Sequence, residues 1–86
     1  MPLGAERGRH GHFKTKMALV ATSGHFKVRV NNGTQNSVFE LKKFETLLML
    51  NPEDWHVLYD FSPDCVVTVF ASEEYDKEDY FYAEPM

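Results

Sequence analysis

The sequence predicts an all-β protein, a small sandwich or barrel of six or seven short strands. Two patterns lead there. Turn signals (Ser23-Gly24, Asn31-Asn32-Gly33, Asn51-Pro52, Ser62-Pro63-Asp64) recur roughly every eight to twelve residues. The stretches between them either alternate apolar and polar residues or are dense in β-branched and aromatic ones. Length adds a third constraint: 86 residues, 43% of them hydrophobic, make a single domain over residues 1–86 around one core.

Each element follows from local chemistry. Residues 1–9 are polar and without periodicity, and read as a lead-in loop. The sandwich is expected over residues 10–71. Lys14–Thr22 turns apolar and partly β-branched. In Phe26-Lys27-Val28-Arg29-Val30 the apolar residues recur with period two, so Phe26, Val28 and Val30 share one strand face. Asn31-Asn32-Gly33 then signals a hairpin, because these residues tolerate positive φ. In Ser37–Lys42, Val38 and Glu40 point one way, Phe39 and Leu41 the other. Leu47–Leu50 is short enough to read as a buried strand. Trp55–Phe61 and Cys65–Ala71 are extended. Residues 72–86 form an acidic, aromatic tail, short-helical or irregular, with Ser72 as an expected helix cap. Tyr75, Tyr80, Phe81 and Tyr82 suit a tail that docks.

Composition excludes several classes. No apolar run approaches the ~20 residues that span a bilayer, so no membrane association is expected. The start lacks a signal peptide's apolar core, so a cytoplasmic location is expected. A lone Cys65 forms no internal disulfide and reads as a buried small hydrophobe. The net charge of −4 argues against nucleic acid as a partner. It also conceals a split: residues 1–43 carry eight Lys/Arg against Glu6 and Glu40, while residues 44–86 carry eleven acids against Lys77. The halves either pack together, within one chain or across a dimer, or simply present solvated polar faces.

The densest polar cluster is Arg7-Gly8-Arg9-His10-Gly11-His12-Phe13-Lys14. On a strand His10 and His12 face the same way, where one imidazole can act as a base while the other polarises a carbonyl. The bland alternative is an exposed His-x-His near a terminus. His56 can complete a three-histidine metal site, which nearby Lys16 opposes by repulsion. No metal or other cofactor is assigned. His25 is expected to face solvent. Trp55, Tyr59 and Phe61 alternate along one strand face, as core packing or as a platform for a ring.

Taken together, Arg7-Gly8-x-His10-x-His12-x-Lys14, Ser23-Gly24-x-Phe26-x-Val28, Asn31-Asn32-Gly33, Pro52-x-x-Trp55-His56, Tyr59-Asp60-Phe61-Ser62-x-Asp64-Cys65-Val66 and Ala71-Ser72-Glu73-x-Tyr75-Asp76-x-x-Asp79-Tyr80 resemble the dTDP-sugar 3,4-ketoisomerases, the WxcM-like family of cupins. The resemblance runs from about Glu6 to Tyr82. It implies a small cupin, an RmlC-like jelly roll or β-sandwich. It implies an isomerase that moves the carbonyl of a dTDP-linked 4-keto-6-deoxy-glucose from C4 to C3 through an enediol, without metal. By resemblance His12 is the base and His10 its acid or electrostatic partner. Arg7, Lys14, Trp55, His56 and Tyr59 are the substrate-binding candidates, and the basic first half attracts the diphosphate. The family's domain has further strands before the histidine motif, so open sheet edges are expected here, covered in a homodimer by strand exchange. The competing reading is a non-catalytic, truncated cupin that binds a sugar nucleotide or another small ligand, or serves mainly to dimerise.

Overall fold

The computed structural model describes residues 5–85. Among the described residues eight strands form two antiparallel sheets: β1 (Arg7–His12), β2 (Met17–Ser23), β3 (His25–Asn31), β4 (Asn36–Lys42), β5 (Leu48–Leu50), β6 (Trp55–Tyr59), β7 (Val66–Ala71) and β8 (Tyr80–Phe81). The larger sheet has the order β4-β3-β6-β1-β8 and the smaller β5-β2-β7. No helix among the described residues is long and apolar enough to cross a membrane. The chain is a cupin-like β-sandwich.

The core lies between the sheets. Phe26, Val28 and Val30 all point into it from β3, as period two requires, and meet Leu19 and Ala21 of β2, Leu41 of β4, Leu50 of β5 and Leu58 of β6. Phe61 and Cys65 close one end from the loop between β6 and β7. Burying such aliphatic and aromatic side chains contributes about 1.5–3 kcal/mol each. The ion pairs Lys14–Asp76, Lys27–Asp60 and Arg29–Glu84 join the basic first half to the acidic second half within one chain.

Four details depart from the sequence reading. First, residues 1–4 lie outside the described residues, but 7–9 are strand, not lead-in loop. Gly8 (φ 93°) and Arg9 (φ 59°) build a β-bulge between the pairs Gly8↔Val57 and His10↔His56. That conformation breaks period two, so the strand start was invisible to pattern reading. Second, Asn31 and Asn36 pair across the β3–β4 hairpin, and Asn32 to Gln35 form a four-residue loop. Asn32 Oδ1 accepts from the N–H groups of Thr34 and Gln35, and Gly33 takes the positive φ.

Third, Leu47–Leu50 is not a buried strand. Only Leu50 is buried, while Leu47 and Met49 are 55% and 63% exposed. β5 is an edge strand of a three-stranded sheet whose outer face no other described residues cover, so Met49 and Phe70, both register partners of Ala18, face outward. Fourth, Ser72 caps no helix. Its hydroxyl accepts from the Lys16 N–H, and Asp76 instead caps a single 3-10 turn at Lys77–Asp79. The tail beyond does not stay irregular: Tyr80 and Phe81 add β8 to the free edge of β1, with pairs Gly11↔Phe81 and His12↔Tyr80.

Candidate active site

The bulge at Arg9 re-aims β1. With one extra residue inserted, His10 comes opposite His56, and alternation carries His12 to the same face. Gly8 is required there, because a Cβ would lie 3.1 Å from the His56 carbonyl oxygen in a backbone that disfavours side chains. The three rings gather: His10 stands 4.9 Å from His56 and 5.2 Å from His12, centroid to centroid. Tyr80, the strand partner of His12, lays its ring 4.7 Å from His10 and 4.5 Å from His12.

His10, His12 and Tyr80 line an inter-sheet cavity of about 170 Å³, with Met17, Val69 and Ala71 of the smaller sheet on the opposite wall. Glu73, Glu74, Tyr75 and Asp76 form its mouth. The volume lies below the ~300–1,000 Å³ of a typical small-molecule site, so it suits one small ring rather than a whole nucleotide sugar.

Asp79 organises the site and lies 67 residues from His12. It is 4% exposed. Its Oδ1 accepts the N–H groups of Phe13 (3.1 Å) and Lys14 (2.7 Å), and its Oδ2 accepts the Thr15 hydroxyl and lies 3.1 Å from His12 Nδ1. Burial alone pushes this carboxyl upward; the hydrogen bonds from Thr15, Lys14, His12 and Phe13 outweigh it and bring the pKa down to about 2. An ionised carboxylate only accepts, so His12 carries its proton on Nδ1. In the neutral ring Nε2 is therefore the lone-pair nitrogen. Among the described residues it is the one buried side-chain nitrogen or oxygen without a partner.

His56 and His10 are neutral near pH 7. Burial, with help from the two neighbouring histidines, lowers His56 to about 4 against the opposing pull of the Asp54 carbonyl, which accepts its Nδ1–H. Burial lowers His10 as well, aided by His12 and opposed by the backbone at Gly8. Burial also raises the Tyr80 phenol, which stays a proton donor. The site therefore holds one bare nitrogen base backed by a carboxylate, with neutral donors alongside. Among the described residues no three His, Cys, Asp or Glu side chains are placed to hold a metal ion.

Of the seven residues singled out from sequence, the structure brings together His10, His12 and His56. Trp55 does not line the cavity, because neighbours on a strand face opposite sides. It is buried on the outer face of the larger sheet, its Nε1–H donating to the Tyr82 carbonyl and its ring flanked by Arg9 and Arg29. Tyr59 sits at the far end of β6, beside a separate cleft with Ala5, Glu6 and Asp60. Arg7 is exposed and donates to the Glu6 carbonyl. Lys14 lies in a shallow cleft beside the mouth, 3.4 Å from Asp76, so the expected pull on an anion is countered by Glu73, Glu74 and Asp76. His25 is exposed and Cys65 buried, as their positions implied. Sequence reasoning missed Asp79 and Tyr80 as site residues; the Asp-Tyr pair after the acidic run was their signal.

Fold and site define a class: a small cupin-like sandwich that presents a carboxylate-backed histidine to an inter-sheet cavity. The sequence model of the FdtA family, WxcM-like C-terminal domains, matches residues 1–85, and the chain belongs to that family. The TDP-4-oxo-6-deoxy-α-D-glucose-3,4-oxoisomerase of Aneurinibacillus thermoaerophilus is 38% identical over 74 residues, which are 86% of this chain and 53% of that one. A mutant of the 3,4-ketoisomerase QdtA from Thermoanaerobacterium thermosaccharolyticum, solved in complex with TDP-4-keto-6-deoxyglucose, superposes with a TM-score of 0.91 at 30% identity, covering 96% of this chain and 60% of that one. WlaRA from Campylobacter jejuni, a TDP-fucose-3,4-ketoisomerase, shares the fold with a TM-score of 0.93 at 23% identity, covering 96% and 62%. The chain thus spans about half the length of the curated relative it matches.

Proposed function

We propose that the chain carries the reaction centre of a TDP-sugar 3,4-ketoisomerase, acting on a TDP-linked 4-keto-6-deoxy-glucose. The carrying observation is His12, with Nδ1 held by buried Asp79 and Nε2 buried, unpartnered and beside the cavity. The descriptions of the related proteins supply the substrate class.

In this reading His12 Nε2 removes the proton from C3, next to the C4 ketone. The C–H electrons form the C3=C4 double bond, and O4 takes a proton from His10 or the Tyr80 hydroxyl. The enediol then loses the proton on O3 and gains one at C4, so carbonyl and hydroxyl exchange places with no net change in composition. Asp79 stabilises the imidazolium formed at His12, as the carboxylate does in a Ser-His-Asp triad. His56 stands behind His10 as a neutral spacer that adds no competing charge. The sugar ring enters the cavity and the nucleotide extends past its mouth, where Lys14 exchanges Asp76 for the diphosphate. The exposed Met49, Val66 and Phe70 on the smaller sheet support a homodimer as part of the same proposal.

The test is incubation with TDP-4-keto-6-deoxyglucose in deuterated water. Deuterium is expected at C3, and His12→Ala abolishes its uptake. Absence of exchange by the unsubstituted chain overturns the proposal. One observation favours a second reading. The acidic mouth repels a diphosphate, which suits a non-catalytic module for an uncharged ring. Binding without exchange selects that reading.

A further inference from the structure

The segment after the 3-10 turn is pinned at two places on opposite sides of the larger sheet. At one end Asp79 is held by residues 12–15. At the other, residues 82–85 lie across the outer face over Trp55. The Trp55 Nε1–H donates to the Tyr82 carbonyl at 3.0 Å. The Arg29 guanidinium reaches both oxygens of Glu84, with Nη2 to Oε1 at 3.1 Å. Asn31 Nδ2 donates to Glu84 Oε2 (3.0 Å) and to the Pro85 carbonyl (2.8 Å). Arg29 is itself stacked on the Trp55 ring, 5.2 Å from its centroid.

Between these anchors lies β8, two residues long at a sheet edge. Two residues of ladder cannot hold a strand by themselves. Yet β8 supplies the Tyr80 ring that packs on His10 and His12. Arg29 and Glu84 form a two-pronged ionic contact, the geometry in which an exposed ion pair retains value. Their side chains are only 27% and 30% exposed.

We propose that Glu84 is a positioning residue of the histidine cavity: by clamping the C-terminal segment to Arg29 and Asn31, it holds Tyr80 against His10 and His12 from the far side of the sheet. The inference deepens the reading of that cavity as the reaction site and rests on it. Releasing the clamp frees residues 80–85 from Asp79 onward and opens the half-buried His10 further to water. The groups facing His10 are His12 of β1, His56 of β6, and Tyr80 and Tyr82 of the tail. Only the last two move with the clamp.

The experiment compares the unsubstituted chain with Glu84→Gln and with Arg29→Lys, which keeps the charge but loses the fork. Amide hydrogen exchange is read along the chain, and the imidazole nitrogens are followed by NMR as a function of pH. Both variants are expected to speed exchange at residues 80–82 at least ten-fold while β3 and β6 stay protected, and to move the His10 titration up toward that of an ordinary histidine. Unchanged exchange at 80–82 overturns the inference. So does faster exchange spread equally over β3 and β6, or failure of both variants to fold, since each assigns Glu84 to global stability. None of these readouts needs a substrate. Failure of the isomerase reading shows separately, as absence of deuterium uptake by the unsubstituted chain.

Discussion

Replacing Asp79 by asparagine reverses one proton without changing the shape of the site. In the native chain Oδ1 accepts two backbone N–H groups, from Phe13 and Lys14, and Oδ2 faces His12 Nδ1 and the Thr15 hydroxyl. An asparagine has one accepting and one donating end. Turning its NH2 toward Phe13 and Lys14 sets donor against donor twice, so the carbonyl stays there and the NH2 is forced toward His12. A donor facing Nδ1 makes Nδ1 the acceptor, and the ring proton moves to Nε2. The unpartnered lone pair of Nε2 is lost. In serine proteases the same change of acid to amide leaves geometry intact and lowers kcat about 10⁴-fold through the wrong tautomer. For Asp79→Asn the expected loss is on the order of 10³–10⁴ in the rate of deuterium exchange at C3, with little change in KM. Imidazole ¹⁵N NMR reads the tautomer independently: His12 Nε2 is unprotonated in the native chain and protonated in the variant. An exchange rate within ten-fold of native, or an Nε2 still bare in the variant, refutes the reasoning.

Other expectations concern stability. His56 titrates near 4 when folded, below the ordinary 6.5, so the unfolded chain binds the extra proton first. Its contribution is full above about pH 6.5 and is lost as pH falls toward 4, by about 3 kcal/mol. Urea denaturation from pH 7 to 4 should show that slope, and His56→Gln should flatten it. Asp79 adds a separate loss at lower pH, between its ordinary 3.8 and about 2, which Asp79→Asn removes. A methyl group on Gly11 would lie 2.2 Å from the Phe81 ring, so Gly11→Ala should displace β8 and cost about 1–3 kcal/mol by urea denaturation. Leu19, fully buried at the centre of β2, should cost about 2–5 kcal/mol as Leu19→Ala in the same assay.

The strands legible in advance are those whose side chains obey simple alternation. Phe26, Val28 and Val30 face one layer of core, and nothing in β3 interrupts the pattern. The elements misjudged are those whose surroundings decide burial. Leu47 and Met49 have the composition of a core strand, but β5 is an edge with an uncovered outer face. The start of β1 was obscured because Gly8 and Arg9 adopt positive φ and insert an extra residue. Trp55 and His56 show how local the ambiguity can be. A strand pattern says that they face opposite ways, but not which of them faces the cavity until the second sheet is in place.

By itself the sequence determined the all-β class, because composition, turn chemistry and a period of two are local properties of a chain, and its motifs, the histidine pair among them, carried the resemblance to the family. Only the tertiary structure decided which ring nitrogen of His12 is held. That contact depends on a carboxylate 67 positions away, delivered by a segment that reads as an acidic run until it docks beside β8. Which ring nitrogen keeps its proton is set by the partner that burial forces upon it, and strand pairing between the two ends of the chain supplies that partner.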